Sequence, residues 1–296
     1  MEYSFPRYLL SKQSVDDRAL NKDVLHALKS NLPPEPLRII EVGAGIGTML
    51  RRLIRWGVIH QAEYVLVDEM SENVEYASAW IPQWAEESGF GVERSGTHRI
   101  RLTNTDFDIQ VELFPADVFD FVKTNPMPAD VLIAHAFLDL LPMPDSLEKL
   151  LNLTKELAWL TLNFDGVTTF EPIIDDETDA LIESRYHTTM DTRPTGGSSR
   201  SGRRLFSHVK SLDVEIFAAG SSDWVVHSVN GLYPEDEKYF LEFILHFVED
   251  SVWTCPQFPK EKLDEWLAAR RGQISNGELT YIAHQLDFLL KKKSRD

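Results

Sequence analysis

The sequence predicts an α/β fold with a mostly parallel sheet, and three observations carry that prediction. From Leu37 to about Phe164, short apolar runs alternate with stretches of helical periodicity, the pattern of strands joined by crossover helices. The run Arg38-Ile39-Ile40-Glu41-Val42 passes directly into Gly43-Ala44-Gly45-Ile46-Gly47, a strand entering a tight glycine turn. The next apolar run, Tyr64-Val65-Leu66-Val67, ends on the carboxylate of Asp68. Strand, glycine loop, helix N-terminus and an acidic second strand end are the parts of a nucleoside-cofactor site.

Taken in order, strands are expected near 38–42, 64–68, 110–114, 130–135 and 157–163. Helices fit near 15–30, 47–57, 71–80, 117–123 and 145–155, and Ser14 with Asp17 reads as an N-terminal capping arrangement. Phe90 to Asp108, rich in Gly, Arg, Thr and Asp, is too polar for core and reads as a loop or inserted β-hairpin. Beyond Phe164 a helix near 175–190 leads into the flexible connection Arg193 to Ser199, then a helix near 200–210. Two strand-like runs, Val214 to Ala218 and Trp224 to Ser228, are close enough for an antiparallel hairpin. From Pro234 onward the expectation is helical, near 235–250, 259–272 and 275–292.

A chain of 296 residues with 43% hydrophobic residues can build one large catalytic domain with embellishments. The expected division is an N-terminal helical lid over 1–34, a core over 35–232 with a helical cap at about 170–210, and a helical extension over 233–296. A formal charge of −17 repels nucleic acid, and the basic clusters are short: Arg51-Arg52, Arg203-Arg204, Arg270-Arg271 and Lys291 to Lys293. Arg51, Arg52 and Arg55 are expected to face solvent, and the lysines to form a solvated helix end. No apolar run approaches a membrane span and the first residues lack signal-peptide character, so a cytoplasmic protein with no membrane partner is expected. The single cysteine, Cys255, excludes an internal disulfide and reads as a packed thiol.

The glycine spacing narrows the cofactor. A dinucleotide fingerprint needs its third glycine three residues after the second, where this chain has Thr48; Gly47 comes one residue early. The result is G-x-G-x-G, with Glu41 two residues ahead of it. This pattern resembles motif I of the class I S-adenosylmethionine (SAM) methyltransferases, and with Asp68, Asp117 and the closing strands the resemblance extends over about residues 38–230. The lid and C-terminal helices look like those of bacterial members of that superfamily.

The resemblance implies a Rossmann-like seven-stranded, mostly parallel sheet, the runs at 214–228 forming its antiparallel closing hairpin. It implies SAM as cofactor, yielding S-adenosylhomocysteine (SAH), held by Glu41, Gly43, Ala44, Gly45, Gly47, Asp68, Glu69, Asp117, Val118 and His135. Asp68 would accept from the ribose, Asp117 and the Val118 amide would read adenine, and Arg18 would pair with the methionine carboxylate, Arg7 or Lys12 being second choices. Asp117 could equally cap the helix after it. Substrate contacts are expected from Phe137, Asp139, Asn163, Asp165, Tyr186 and His187, with the helix near 175–190 covering the opening. His135 and His187 are the candidate general bases, a structural histidine being the alternative for His135.

The activity so implied is methyl transfer to an O, N or C nucleophile of a small-molecule acceptor. The Asn-Pro-Pro-Tyr motif of DNA adenine methyltransferases and the Pro-Cys of cytosine-C5 enzymes are absent. No metal cluster is obvious, although His135, Asp139 and Asp165 could gather one, and nothing calls for an oligomer. An NAD-dependent oxidoreductase, an aminopropyl transferase and a non-catalytic SAM-binding protein are the alternatives.

Overall fold

Tyr64 and Leu66 bury against one side of a central sheet and Val65 and Val67 against the other, so alternation along a single strand already requires helices on both faces. The computed structural model describes residues 3–124, 127–253 and 258–293; Cys255 lies outside them. The described chain begins with helices α1 (Phe5–Ser11), α2 (Gln13–Ala19) and α3 (Lys22–Asn31). The first half of the sheet follows as β1 (Leu37–Val42), α4 (Thr48–Arg55), β2 (Gln61–Asp68), α5 (Ser71–Glu87), β3 (Gly91–Arg94), β4 (Arg99–Thr103) and β5 (Asp108–Pro115). Then come α6 (Val118–Thr124), β6 (Ala129–His135), α7 (Asp145–Leu151) and β7 (Thr154–Glu171). The remainder is α8 (Asp176–Asp191), α9 (Ser201–His208), β8 (Val214–Ser221), β9 (Trp224–Val226), α10 (Glu237–Trp253), α11 (Lys260–Asn276) and β10 (Thr280–Lys292).

The ten strands form one sheet in the order β3-β4-β5-β2-β1-β6-β7-β10-β8, with β9 also pairing β10. Strands β5, β2, β1, β6 and β7 are parallel, and β10 runs antiparallel to both β7 and β8. The α/β, mostly parallel architecture is therefore as the sequence indicates, and the Phe90 to Asp108 segment supplies the hairpin β3–β4 at one edge. Helices α3, α4, α5, α10 and α11 cover one face and α6, α7 and α9 the other.

The other edge differs from expectation. Runs 214–218 and 224–228 do not pair with each other: β8 lies along Leu286–Lys292 of β10 and β9 along Tyr281–Ala283, so they are two pieces of one interrupted strand. The reversed strand is β10, where a helix was expected. Between β7 and β8 both of its faces are buried, Phe288, Leu289 and Leu290 all being sequestered, and an apolar run on both faces carries little period-2 signal. Gly277, left-handed at the end of α11, was the available stop signal.

Three smaller differences lie in the helices and the basic residues. The stretch 15–30 is two helices, because the Asn21 side chain accepts from the amides of Asp23 and Val24 and starts α3 afresh. Ser14 does not cap α2; its hydroxyl donates to Glu237 at 2.7 Å. Arg52 does not face solvent but is buried against Asp17, and Lys291 lies near the end of a strand, beside Glu156; Arg270 is buried against Asp179.

Candidate active site

Parallel sheets present ligand sites beyond the carboxyl ends of their strands, and here the ends of β1, β2, β5 and β6 converge on one cavity of about 500 Å³. Its floor is the loop after β1. The Ala44 amide donates to the Val67 carbonyl at 3.0 Å, and that of Gly45 donates to Asp68 Oδ2 at 2.7 Å, stitching the loop to the end of β2. Gly43 and Gly45 both have positive φ, and a Cβ on either would strike a side chain: Phe137 over Gly43 and Leu9 of α1 over Gly45. Gly47 differs, for it does not line the cavity. A Cβ there would meet Leu66 and Ile81, so its role is the packing of α4 and α5 on the sheet.

One end of the cavity is acidic. Asp68 Oδ1 also accepts from the Met70 amide and Asn73 Nδ2, each at 3.0 Å, while the exposed Glu69 stands next to it. The Oδ1 atom of Asn73, on a side chain that is 2% exposed, has no hydrogen-bond partner. Asp117 and Val118 line the same end; Asp117 Oδ1 caps α6 by accepting from Phe119 and Asp120 at 2.8 and 3.1 Å. A carboxylate has roughly four acceptor positions, so capping leaves Asp117 able to accept more.

The middle of the cavity meets two buried titratable groups. Burial pushes the Glu41 carboxyl up to about 8, with the Tyr64 hydroxyl donating to it at 2.8 Å, so it is largely protonated at neutral pH. His135 is pushed the other way by burial, down to about 4. Its Nδ1 lies 2.8 Å from Thr161 Oγ1 and its Nε2 3.0 Å from Asp16 Oδ2. A neutral ring in this network carries its hydrogen on Nε2, donates to Asp16 and accepts from Thr161. Both nitrogens are committed, which removes the basis for His135 as a general base; its ring is wall and anchor.

Asp16 was not foreseen. It is wholly buried, also accepts from Trp224 Nε1 at 2.9 Å, and lies 3.4 Å from Lys12 Nζ and 3.7 Å from Arg52 Nη2. Burial alone would raise its carboxyl, but Lys12, His135 and Arg52 outweigh that and hold it well below the usual range. Through this carboxylate α2 is fastened to the sheet, and with it Phe5, Leu9 and Lys12, which roof the cavity.

Of the other expected residues, Phe137 and Lys12 line the cavity and the rest do not. Arg18 makes a bidentate pair with Glu237 at 2.6 and 3.0 Å, and Arg7 pairs with Asp236. The lid cation that reaches the cavity is Lys12. Strand β7 continues past Phe164 instead of turning over the cleft, so Asn163 and Asp165 serve the sheet. Leu162 has positive φ within a bulge of β7, where Thr161 and Leu162 stand against Asp287 of β10, and Asn163 Nδ2 donates to the carbonyls of Leu160 and Leu286 there. Asp165 accepts from the amide and Nε of Arg203, both at 2.8 Å. In α8, Tyr186 packs on the core and His187 Nε2 lies 3.0 Å from Thr168 Oγ1, so neither faces the cavity. Asp139 accepts from the Ser198 amide through its backbone carbonyl. His135, Asp139 and Asp165 therefore do not gather, and among the described residues no group suited to a metal ion is found. The segment after α8 reaches the cavity through Arg193 and Thr195.

No protein-family model matches the chain, and no curated protein matches it in sequence. Solved structures do match. A Bacillus halodurans C-125 protein provisionally described as a methyltransferase is 10% identical with a TM-score of 0.50, over 93% of this chain and 100% of that one. A SAM-dependent methyltransferase from Thiobacillus denitrificans, in complex with SAH, is 11% identical with a TM-score of 0.47, over 99% of this chain and 100% of that one. The cyclopropane synthase MmaA2 from Mycobacterium tuberculosis is 11% identical with a TM-score of 0.45, over 91% and 83%. The first of these likenesses shows that the chain has the Rossmann-like fold of class I methyltransferases. No helix among the described residues is long and apolar enough to cross a membrane.

Proposed function

We propose that the chain is a SAM-dependent methyltransferase acting on an O, N or C nucleophile of a small-molecule acceptor. One observation carries the reading: Asp68 and Glu69 at the end of β2, Asp117 just past β5, the glycine loop after β1 and the buried Lys12 all line one cavity. Asp68 and Glu69 suit the two ribose hydroxyls, and the unpartnered Oδ1 of Asn73 is an acceptor that a further hydroxyl or amine would satisfy. Asp117 and the Val118 amide suit an adenine edge, and Lys12 suits the methionine carboxylate. When bound, SAM supplies a methyl group on a sulfonium, an electrophile that needs no metal.

What the residues contribute is positioning and exclusion of water. Helices α1–α3 act as the lid, Phe5 and Leu9 covering the glycine loop while Asp16 holds α2 down. Glu41, protonated beneath the loop, adds no negative charge at neutral pH. With His135 committed to Asp16 and Thr161, no histidine among the described cavity residues is free to take a proton, and an acceptor that enters as an anion or neutral amine needs none.

The lid cation separates this reading from an aminopropyl transferase, whose cofactor has no carboxylate. Lys12→Met is expected to weaken SAH by about tenfold or more and to leave 5′-methylthioadenosine, which lacks the amino-acid end, unchanged. Equal effects on the two nucleosides contradict the assignment of Lys12. Asp68→Ala is expected to weaken both ligands by about 1–3 kcal/mol, and unchanged affinity contradicts the ribose assignment.

A further inference from the structure

Arg193 enters the cavity wall from the loop after α8, with Thr195 of the same loop and close to Asp139 in the chain after β6. Its Nη1 is buried and has no hydrogen-bond partner. Asp139 and Tyr186 lie close enough to feel its charge, yet Asp139 Oδ1 is itself buried and unpartnered, so the two do not pair. A buried guanidinium hydrogen left unsatisfied is costly, and proteins retain such an arrangement where a ligand completes it.

The arginine is held in place. A Cβ on Gly196 would fall 2.7 Å from Pro142, and one on Gly197 would fall 2.6 Å from the Asp139 carbonyl oxygen, so this loop lies directly on the chain after β6. The Ser198 amide donates to that carbonyl at 3.2 Å, and the Ser199 amide and hydroxyl donate to Asp191 at 2.8 and 2.9 Å. Leu140, Leu141 and Pro142 also line the cavity, and Leu140 is 42% exposed.

We propose that this end of the cavity binds the methyl acceptor, and that the acceptor is an apolar carboxylate: Arg193 grips its anionic group while the hydrocarbon lies on Leu140, Leu141 and Pro142. The proposal rests on the SAM reading of the remaining cavity. A guanidinium fork matches a carboxylate, and Lys12, the other cation lining the cavity among the described residues, is assigned to the cofactor's carboxylate, so one cation remains and the site suits a monoanion over a phosphate dianion. In a chain of net charge −17, an anionic ligand needs a cation at its own binding point.

The test is calorimetry on the full chain saturated with SAH, using 3-phenylpropionate and octanoate and the primary amide of each. At least one carboxylate is expected to bind about tenfold or more tightly than its amide. Arg193→Gln is expected to abolish that preference while keeping the melting temperature and the SAH affinity of the wild type. Equal binding of acid and amide, no binding of either acid, or a preference that survives in Arg193→Gln overturns the proposal. Loss of SAH affinity in Arg193→Gln also overturns it, by assigning the arginine to the cofactor. Failure of the wild type to bind SAH at all refutes instead the reading on which the proposal rests.

Discussion

Replacing Asp16 by alanine removes the carboxylate that fastens the lid to the sheet. It is fully buried, with His135 Nε2 at 3.0 Å, Trp224 Nε1 at 2.9 Å, Lys12 Nζ at 3.4 Å and Arg52 Nη2 at 3.7 Å. Deleting one partner of a buried charge cluster leaves the others uncompensated and costs about 3–5 kcal/mol. An unfolding entropy of about 2.1 cal/mol/K per residue gives this chain about 0.6 kcal/mol/K, so the melting temperature should fall by about 5–8 °C. Circular-dichroism melts at pH 7 measure this directly. Asp16→Asn keeps an acceptor for Trp224 and loses only the charge, so it should fall between wild type and alanine. A shift within about 1 °C for the alanine variant would refute the anchor, leaving α2 docked by apolar contact alone.

Two further predictions concern the glycine loop and the acid beneath it. Folded Glu41 keeps its proton up to about pH 8 where the unfolded chain loses it near 4.5, so this residue's contribution to stability is present below pH 4.5 and is lost as pH rises through 8. Glu41→Gln retains the acceptor for Tyr64 and should flatten the decline seen in denaturant titrations between pH 5 and 8; an unchanged slope would contradict the raised value. Gly43→Ala should cost about 1–3 kcal/mol, since its φ of +61° and a Cβ 2.2 Å from the Phe137 ring both oppose a side chain. Adding Phe137→Ala should restore only the steric part, and full recovery would show that the backbone there is unstrained.

Much of the cavity lining was legible because backbone and side chain are specified together at the glycine loop and the strand ends. The glycines, Asp68 and Asp117 lie at strand ends that the apolar runs locate, and strand ends in a parallel sheet converge by topology. The residues expected to meet a substrate were placed less well, for the opposite reason. Asn163 and Asp165 follow the same strand-end logic, but β7 runs on to Glu171, and the polar groups satisfy an irregular stretch of sheet instead of a ligand. Arg52 reads as a solvated helix residue because a buried ion pair leaves no trace in periodicity; its partner Asp17 lies 35 residues away in sequence. Arg193 opens a stretch that reads as a flexible connection, and which of its residues turns inward depends on how Gly196 and Gly197 pack on Pro142 and Asp139.

Titration of the wild-type chain with SAH and with NAD, followed by calorimetry, tests the central claim most directly. The account predicts a saturable one-to-one isotherm for SAH that Asp68→Ala weakens, and no comparable heat from NAD. Absence of SAH binding at millimolar ligand, or NAD binding the tighter of the two, would contradict it.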